Sequence, residues 1–198
     1  LIHCALPEID KDEIDTATEL FGKVMAAPLL IASMTGGHPD TYPINKALAL
    51  AAEHLGVGIG VGSQRAALEN PEQEDTFRVV RDCAPHAFVY ANIGVVQLAE
   101  YGIDGVEHAI EMIDADAIAI HLNFLQEAIQ PEGCTHARGS LDAIKDVCDA
   151  VSVPVIAKET GAGISREVAA MLTAAGVDAI DVGGAGGRIR EMLDARGF

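Results

Sequence analysis

The sequence predicts an α/β fold in which parallel strands form a barrel inside a ring of helices. Three observations carry this expectation. Six short β-branched or apolar runs, at 25–33, 57–63, 87–94, 117–123, 154–160 and 179–184, recur at roughly thirty-residue intervals. Helical patterns lie between most of them, the alternation that builds a parallel sheet with helices outside. The runs are continuously apolar rather than alternating, as strands buried on both faces are. Even spacing favours a barrel over an open doubly wound sheet, which shows a longer crossover where its strand order reverses.

Taken in order, the helices have readable ends. Pro43 opens the first, Ile44, Leu48, Ala52 and Leu55 form its expected inner face, and Gly56 stops it. Asn70-Pro71-Glu72-Gln73 has the form of a capping box with Pro at the first helical position. Ser140 is the expected cap of a helix striped by Leu141, Ile144, Val147, Cys148 and Val151. Ser165 caps another, striped by Val168, Met171, Leu172 and Ala175 and ended by Gly176. Residues 188–197 read as a charged amphipathic helix with Ile189, Met192 and Leu193 inward.

Six βα units fall short of the eight that close a TIM (β/α)8 barrel. Two further units are therefore expected. The expected gap lies between Gly187 and Arg188, where a glycine-rich strand end runs straight into a terminal-looking helix. The opening residues, LIHCALPEID, lack a Met and read as interior sequence, so a preceding segment is expected as well.

Composition narrows the function. The chain has 198 residues, 49% of them hydrophobic, enough for one domain with a real core. Thirteen Lys+Arg face 30 Asp+Glu, a formal net charge of −17, which argues against general binding to nucleic acid or anionic membranes. No apolar run reaches membrane-spanning length and no secretory signal is visible. Cys4, Cys83, Cys134 and Cys148 are scattered without a CxxC, so free thiols in a reducing cytoplasm are expected, with no zinc site.

The strand ends hold the chemistry, because ligands bind at the C-terminal ends of parallel strands. The fourth run leads into HLNFLQEAIQPEG, which delivers His121, Asn123, Gln126, Glu127, Gln130 and Glu132 within a dozen residues. The first run ends in Ser33-Met34-Thr35-Gly36-Gly37, either a ligand-facing backbone or a plain tight turn. The second ends in Gly62-Ser63-Gln64-Arg65, where Arg65 either binds phosphate or pairs with a neighbouring acid. The third ends in Asn92-Ile93-Gly94, and its Asn could simply cap the next turn. Lys158 follows a strongly apolar run, so its ammonium must reach the rim or find a partner. The sixth run, Asp181 to Gly187, is glycine-rich in the manner of a phosphate cradle but lacks GxGxxG spacing. Alone, His121 reads as a satisfied rim histidine and Glu127 as a solvated carboxylate. Together with two cations at the same rim of an acidic protein, they point to an anionic, phosphorylated ligand. Glu127 is suited to Mg²⁺, which takes one or two carboxylates plus substrate phosphates.

MTGG, GSQR, ANIG, HLNFLQEAIQPEG, AKETGAGIS and DVGGAGG together resemble the type 2 isopentenyl-diphosphate Δ-isomerases, over nearly the whole chain. The resemblance implies one FMN-binding TIM-barrel domain over 1–198. It implies interconversion of isopentenyl and dimethylallyl diphosphate by protonation and deprotonation, with FMN reduced by NADPH and no net redox change. Met34 and Thr35 would contact the flavin. Ser63, Asn92 and Lys158 would hold its ring, with Lys158 at the N1/O2 edge, and Gly183, Gly184 and the glycines after them would approach its phosphate. Arg65, His121 and Asn123 would bind the substrate diphosphate. Gln126 would sit near the double bond, giving Gln126 and His121 the catalytic places, and Glu127 would ligate Mg²⁺. A homo-tetramer or homo-octamer is implied too. Arg188 stands where the family has a phosphate-contacting Thr, and the family's basic N-terminal segment and later GGxR loop are absent. The competing readings are another FMN-dependent barrel of the hydroxyacid-oxidase or dehydrogenase type, which would want a late His/Arg pair, and a non-catalytic barrel.

Overall fold

Apolar runs joined by amphipathic helices can bury both faces only by lying side by side under a helical layer. The computed structural model describes residues 3–130 and 133–184 and takes this form. It opens with an antiparallel hairpin that the sequence reading missed, β1 (Thr18–Leu20) and β2 (Lys23–Met25). Phe21 and Gly22 turn it with φ of 49° and 83°, the two positive values a tight two-residue hairpin needs. Then follow β3 (Leu30–Ile31), α1 (Tyr42–Leu55), β4 (Gly58–Gly60), α2 (Arg65–Glu69) and α3 (Asp75–Cys83). Next come β5 (Val89–Gly94), α4 (Leu98–Met112), β6 (Ala117–Leu122) and α5 (Phe124–Ile129). The described residues end with α6 (Ser140–Ala150), β7 (Val155–Glu159), α7 (Arg166–Ala174) and β8 (Ala179–Asp181).

Strands β3 to β8 form one parallel sheet in chain order, curled into a half-barrel, as the expected barrel architecture requires. The expected gap after Gly187 and the expected last helix lie outside the described residues. The strands have two apolar faces. Val89, Ala91, Ile93, Ile118, Ile120, Val155 and Ala157 pack outward with Val106, Ala109, Ile144, Val147 and Leu172 of the helices. Tyr90, Ala117, Ala119 and Ile156 pack inward with Met25 and Phe88. Phe21 lies 6.2 Å from Phe88 between ring centroids, so the hairpin covers the floor of the half-barrel.

Several local expectations are corrected. The first run is not one strand: Met25 belongs to the hairpin, and the barrel strand is only Leu30–Ile31. In α1 the buried residues are Asn45, Ala49 and Ala52, while Ile44 and Leu55 are exposed. Small residues there let α1 lie close against α3. Gly56 does stop α1, in the left-handed conformation. Asn70 accepts from Glu72 N, but it caps a 3-10 turn, Pro71–Gln73, and α3 starts after it. Ser140 is the first residue of α6 rather than its cap, and its hydroxyl donates to Ala137 O. Ser165 does cap α7, accepting from Val168 N, yet Val168 and Met171 are exposed and Leu172 carries the burial.

The floor is tied by one polar knot. Arg81 of α3 donates to the carbonyls of Ala84, Ala87, Ile113 and Asp114, and to Asp116 Oδ2 at 2.9 Å. Asp116 also accepts from Val89 N at 2.9 Å and pairs with Lys23 of the hairpin at 3.1 Å. Burial works to raise the Asp116 pKa, but the Val89 N–H, Arg81 and Lys23 outweigh it and hold it below the ordinary value. This stability is therefore present above the usual carboxylate pKa and is lost as pH falls through the lowered one. Arg81→Ala strands several carbonyls and a carboxylate, so it should cost about 3 kcal/mol in urea unfolding. A loss near zero would show that the knot does not hold the floor.

Candidate active site

Register decides which side chains meet. Across four adjacent strands, Gly94 pairs with His121, His121 with Lys158, and Lys158 with Asp181. Parallel neighbours lie roughly 4.8 Å apart, so this row crosses the sheet at the strands' C-terminal ends. Alternation along β6 puts His121 on the same face as Ala117 and Ala119, the inner one. Apolar side chains fill the lower layers and polar ones stand on top. Above them opens a cavity of about 670 Å³, a size that suits small organic ligands.

The cavity gathers what the strand ends deliver. Met34, Ser63, Arg65, Asn92, His121, Asn123, Gln126, Glu127, Lys158, Gly183 and Gly184 all line it. Thr35 is placed differently. Its hydroxyl pairs with Asn45 Oδ1 and its carbonyl accepts from Gly62 N. Glu132 lies outside the described residues. The cavity also takes Gln97, Gln130 and Thr160, which the sequence reading left unassigned. Gln97 follows Gly94 by three residues, and that offset from a strand end was the only signal for it.

His121 is held by a relay of amides. Gln64, fully buried, donates from Nε2 to Ala109 O of α4 at 2.8 Å. Its Oε1 accepts from Asn92 N at 3.0 Å. Asn92 Nδ2 donates to Val61 O at 3.1 Å, which leaves Asn92 Oδ1 to face His121 Nδ1 at 2.9 Å. An oxygen can only accept, so His121 carries its proton on Nδ1 and presents Nε2 as a lone pair. Burial, then the charges of Lys158 and Arg65, push the His121 pKa down to about 4, so the ring is neutral at pH 7.

The remaining groups are polarised in pairs. Glu127 is buried. It accepts from Asn123 Nδ2 at 2.7 Å and from Cys134 N at 2.7 Å. Asn123 Oδ1 is buried without a hydrogen-bond partner among the described residues. Arg65 reaches the cavity and also lies 3.6 Å from Glu69, an exposed pair of little weight. Lys158 makes one long hydrogen bond, to Glu159 O at 3.4 Å, and no ion pair among the described residues. Glu159 binds Gly161 N and Gly163 N, and Asp181 binds Gly183 N, so both rim loops are held by carboxylates.

Among known proteins, the chain is 68% identical over 187 residues to an isopentenyl-diphosphate delta-isomerase of Methanosarcina acetivorans, covering 94% of this chain and 51% of that protein. High-identity curated relatives over most of the chain carry the name isopentenyl-diphosphate delta-isomerase. A relative of the same name from Archaeoglobus fulgidus is 64% identical over 187 residues, covering 94% of this chain and 54% of that protein. One from Halobacterium salinarum is 57% identical over 197 residues, covering 98% and 55%. The chain thus spans about half the length of the curated isomerases it matches. No family model matches it. In fold, it superposes on a lactate oxidase of Pediococcus acidilactici with a TM-score of 0.68 at 17% identity, over 93% of this chain and 54% of that one. It superposes on an aldolase, QR15, with a TM-score of 0.54 at 17% identity, over 83% and 72%. These likenesses concern the barrel architecture. The likeness to the isomerases comes from the sequence relatives.

Imidazole ¹⁵N shifts should report the Nδ1–H tautomer of His121 at neutral pH and a midpoint near 4. Because folding lowers this pKa, the unfolded chain takes the proton first as pH falls. Stability should be intact above the ordinary histidine pKa and drop toward pH 4 by on the order of 3 kcal/mol. The slope assigned to His121 should vanish in His121→Gln. A midpoint above 6, or an unchanged slope in the variant, would refute the neutral relay.

Proposed function

We propose that this chain carries the active site of a type 2 isopentenyl-diphosphate Δ-isomerase, interconverting isopentenyl and dimethylallyl diphosphate. One observation carries the reading: Arg65, His121 and Lys158 converge with Gln126 and the Asn123–Glu127 pair on one cavity at the barrel mouth. The sequence relatives supply the reaction's name.

The cavity rim fits FMN. Gly183 has φ of 69°, and a Cβ there would lie 2.7 Å from Gly161 N, so this rim needs a bare backbone. At Gly184 a Cβ would meet nothing within 4 Å, which leaves its backbone open to a phosphate. Ser63, Asn92 and Lys158 would hold the ring, with Met34 against it and Thr35 contributing backbone. When bound and reduced, FMN supplies the acid–base chemistry that the side chains lack. The Glu127 site fits Mg²⁺, because the orphaned Asn123 Oδ1 is a hard oxygen beside a buried carboxylate. Asn123 therefore serves the cation as well as the diphosphate.

The chain's own residues do the rest. Arg65 and Lys158 attract and neutralise the diphosphate. His121 meets a diphosphate oxygen with a proton on Nε2, brought by ligand or solvent, since the free ring offers only a lone pair there. Gln126 orients the alkene, because an amide is a poor proton carrier. The apolar floor of Tyr90, Ala119 and Ile156 excludes water below the reacting carbons. NADPH as the reductant, a homo-tetramer or homo-octamer and a cytoplasmic setting complete this reading, carried by the family resemblance. Among the described residues, no helix is long and apolar enough to cross a membrane. Among the described residues the late strands give the cavity Lys158, Thr160, Gly183 and Gly184, and nothing there favours the oxidase reading.

With FMN, a reductant, Mg²⁺ and isopentenyl diphosphate under anaerobic conditions, dimethylallyl diphosphate should form. Product at the same rate without flavin would refute the assignment. Glu127→Gln should raise the Mg²⁺ requirement about tenfold or more while flavin affinity holds, and Lys158→Ala should do the reverse. Equal effects of both changes on both ligands would sink these two roles.

A further inference from the structure

Three glutamines show what burial demands of an amide. Gln64 is fully buried and saturated, with Ala109 O, Met112 Sδ and Asn92 N as partners. Gln126 stands on the rim, half-buried. Gln97 is 6% exposed, lines the cavity, and its side chain makes no hydrogen bond to the described residues. Its amide atoms are not among the fully buried unpaired ones, so they open onto the cavity, where solvent or a ligand meets them.

The backbone leaves room for this amide. A Cβ at Gly94 would lie 1.9 Å from Gln97 Oε1 and 2.9 Å from His121 Nε2. The missing side chain is the space in which the Gln97 amide and the His121 ring share one corner. With no partner among the described residues, nothing fixes the amide with Oε1 toward Gly94, and a rotation of the amide plane brings its N–H into the corner. His121 Nε2 offers only a lone pair there in the free protein, so the corner's neutral N–H donor is Gln97. Lys158 and Arg65 face the same cavity and bring an anion into it.

We propose that Gln97 is a further ligand-binding residue, whose amide N–H donates to an anionic phosphate oxygen in the corner it shares with His121. This rests on the diphosphate reading above. It adds a donor from the start of the segment after β5 to those of Arg65 and Lys158 on α2 and β7. It also gives Gly94 a reason to lack a side chain.

The test uses the full chain reconstituted with FMN and Mg²⁺, and Gln97→Leu, which keeps bulk and removes the amide. Inorganic pyrophosphate binding is read by calorimetry, isopentenyl diphosphate turnover by KM and kcat, and the fold by Tm. The expected result is pyrophosphate affinity lower by about tenfold or more, KM raised to match, kcat within about threefold, and Tm no lower than the parent. Gln97→Glu should bind pyrophosphate more weakly still, because a carboxylate repels it. Gln97→Met decides the matter if the Leu variant does not fold. Unchanged pyrophosphate affinity in the Leu or Met variant overturns the proposal, as does a lower Tm with affinity intact. If the parent binds pyrophosphate through Gln97 yet does not turn over isopentenyl diphosphate, the isomerase reading fails and the Gln97 assignment stands. If the parent binds neither, both fail.

Discussion

The hydrogen bond between His121 and Asn92 is the contact on which the site depends. It fixes the ring's tautomer, and Asn92 in turn is fixed by Gln64 and by Val61 O. Gln64 reaches the carbonyl of Ala109 on α4, so the chain of amides runs from the helical layer to the cavity. Each amide in it has one assignable orientation, because each end meets a backbone group or another amide of known sense. A ring held this way cannot flip to present a donor without breaking a buried bond. Preorganisation of this kind lets a neutral histidine stand between two cations.

Charge follows the same logic. The chain carries a formal net charge of −17, yet its cavity collects Arg65 and Lys158. The acids near the rim are spent on backbone: Glu159 on Gly161 and Gly163, Asp181 on Gly183, Glu127 on Cys134. They hold loops and do not cancel the two cations. An anion approaching the mouth therefore meets positive charge on a rigid frame, while the acidic surface elsewhere repels polyanions.

Opposite ends of the barrel divide the labour. At the floor, Arg81 and Asp116 tie α3, β5 and the hairpin, and every donor has an acceptor. At the mouth, polar atoms are left open: neither Asn123 Oδ1 nor the Gln97 amide has a partner among the described residues. Full satisfaction at one end stabilises the fold. Open polar atoms at the other are what the proposed ligand would satisfy.

Much was legible before any coordinates. Period, apolar runs and even spacing determined the parallel barrel, because strands buried on both faces have no other way to look. Strand-end polar residues determined the candidate site, because parallel strands present their C-terminal ends together. Gly56 and Ser165 read correctly as stops and starts because their roles are local. Tertiary structure decided the rest. The hairpin around Phe21 and Gly22 is too short for a periodic signal, and its stability comes from Phe88 and Met25 packing. Ile44 and Leu55 gave up the inner face of α1 to Asn45 and Ala49 beside the expected Ala52, because helix–helix distance, not hydrophobicity, governs that seam. Thr35 turned to Asn45, Gln64 became a strut and Gln97 a cavity wall. An amide reads the same in sequence whatever it faces, and only its neighbours in space say whether its hydrogen bonds are already taken.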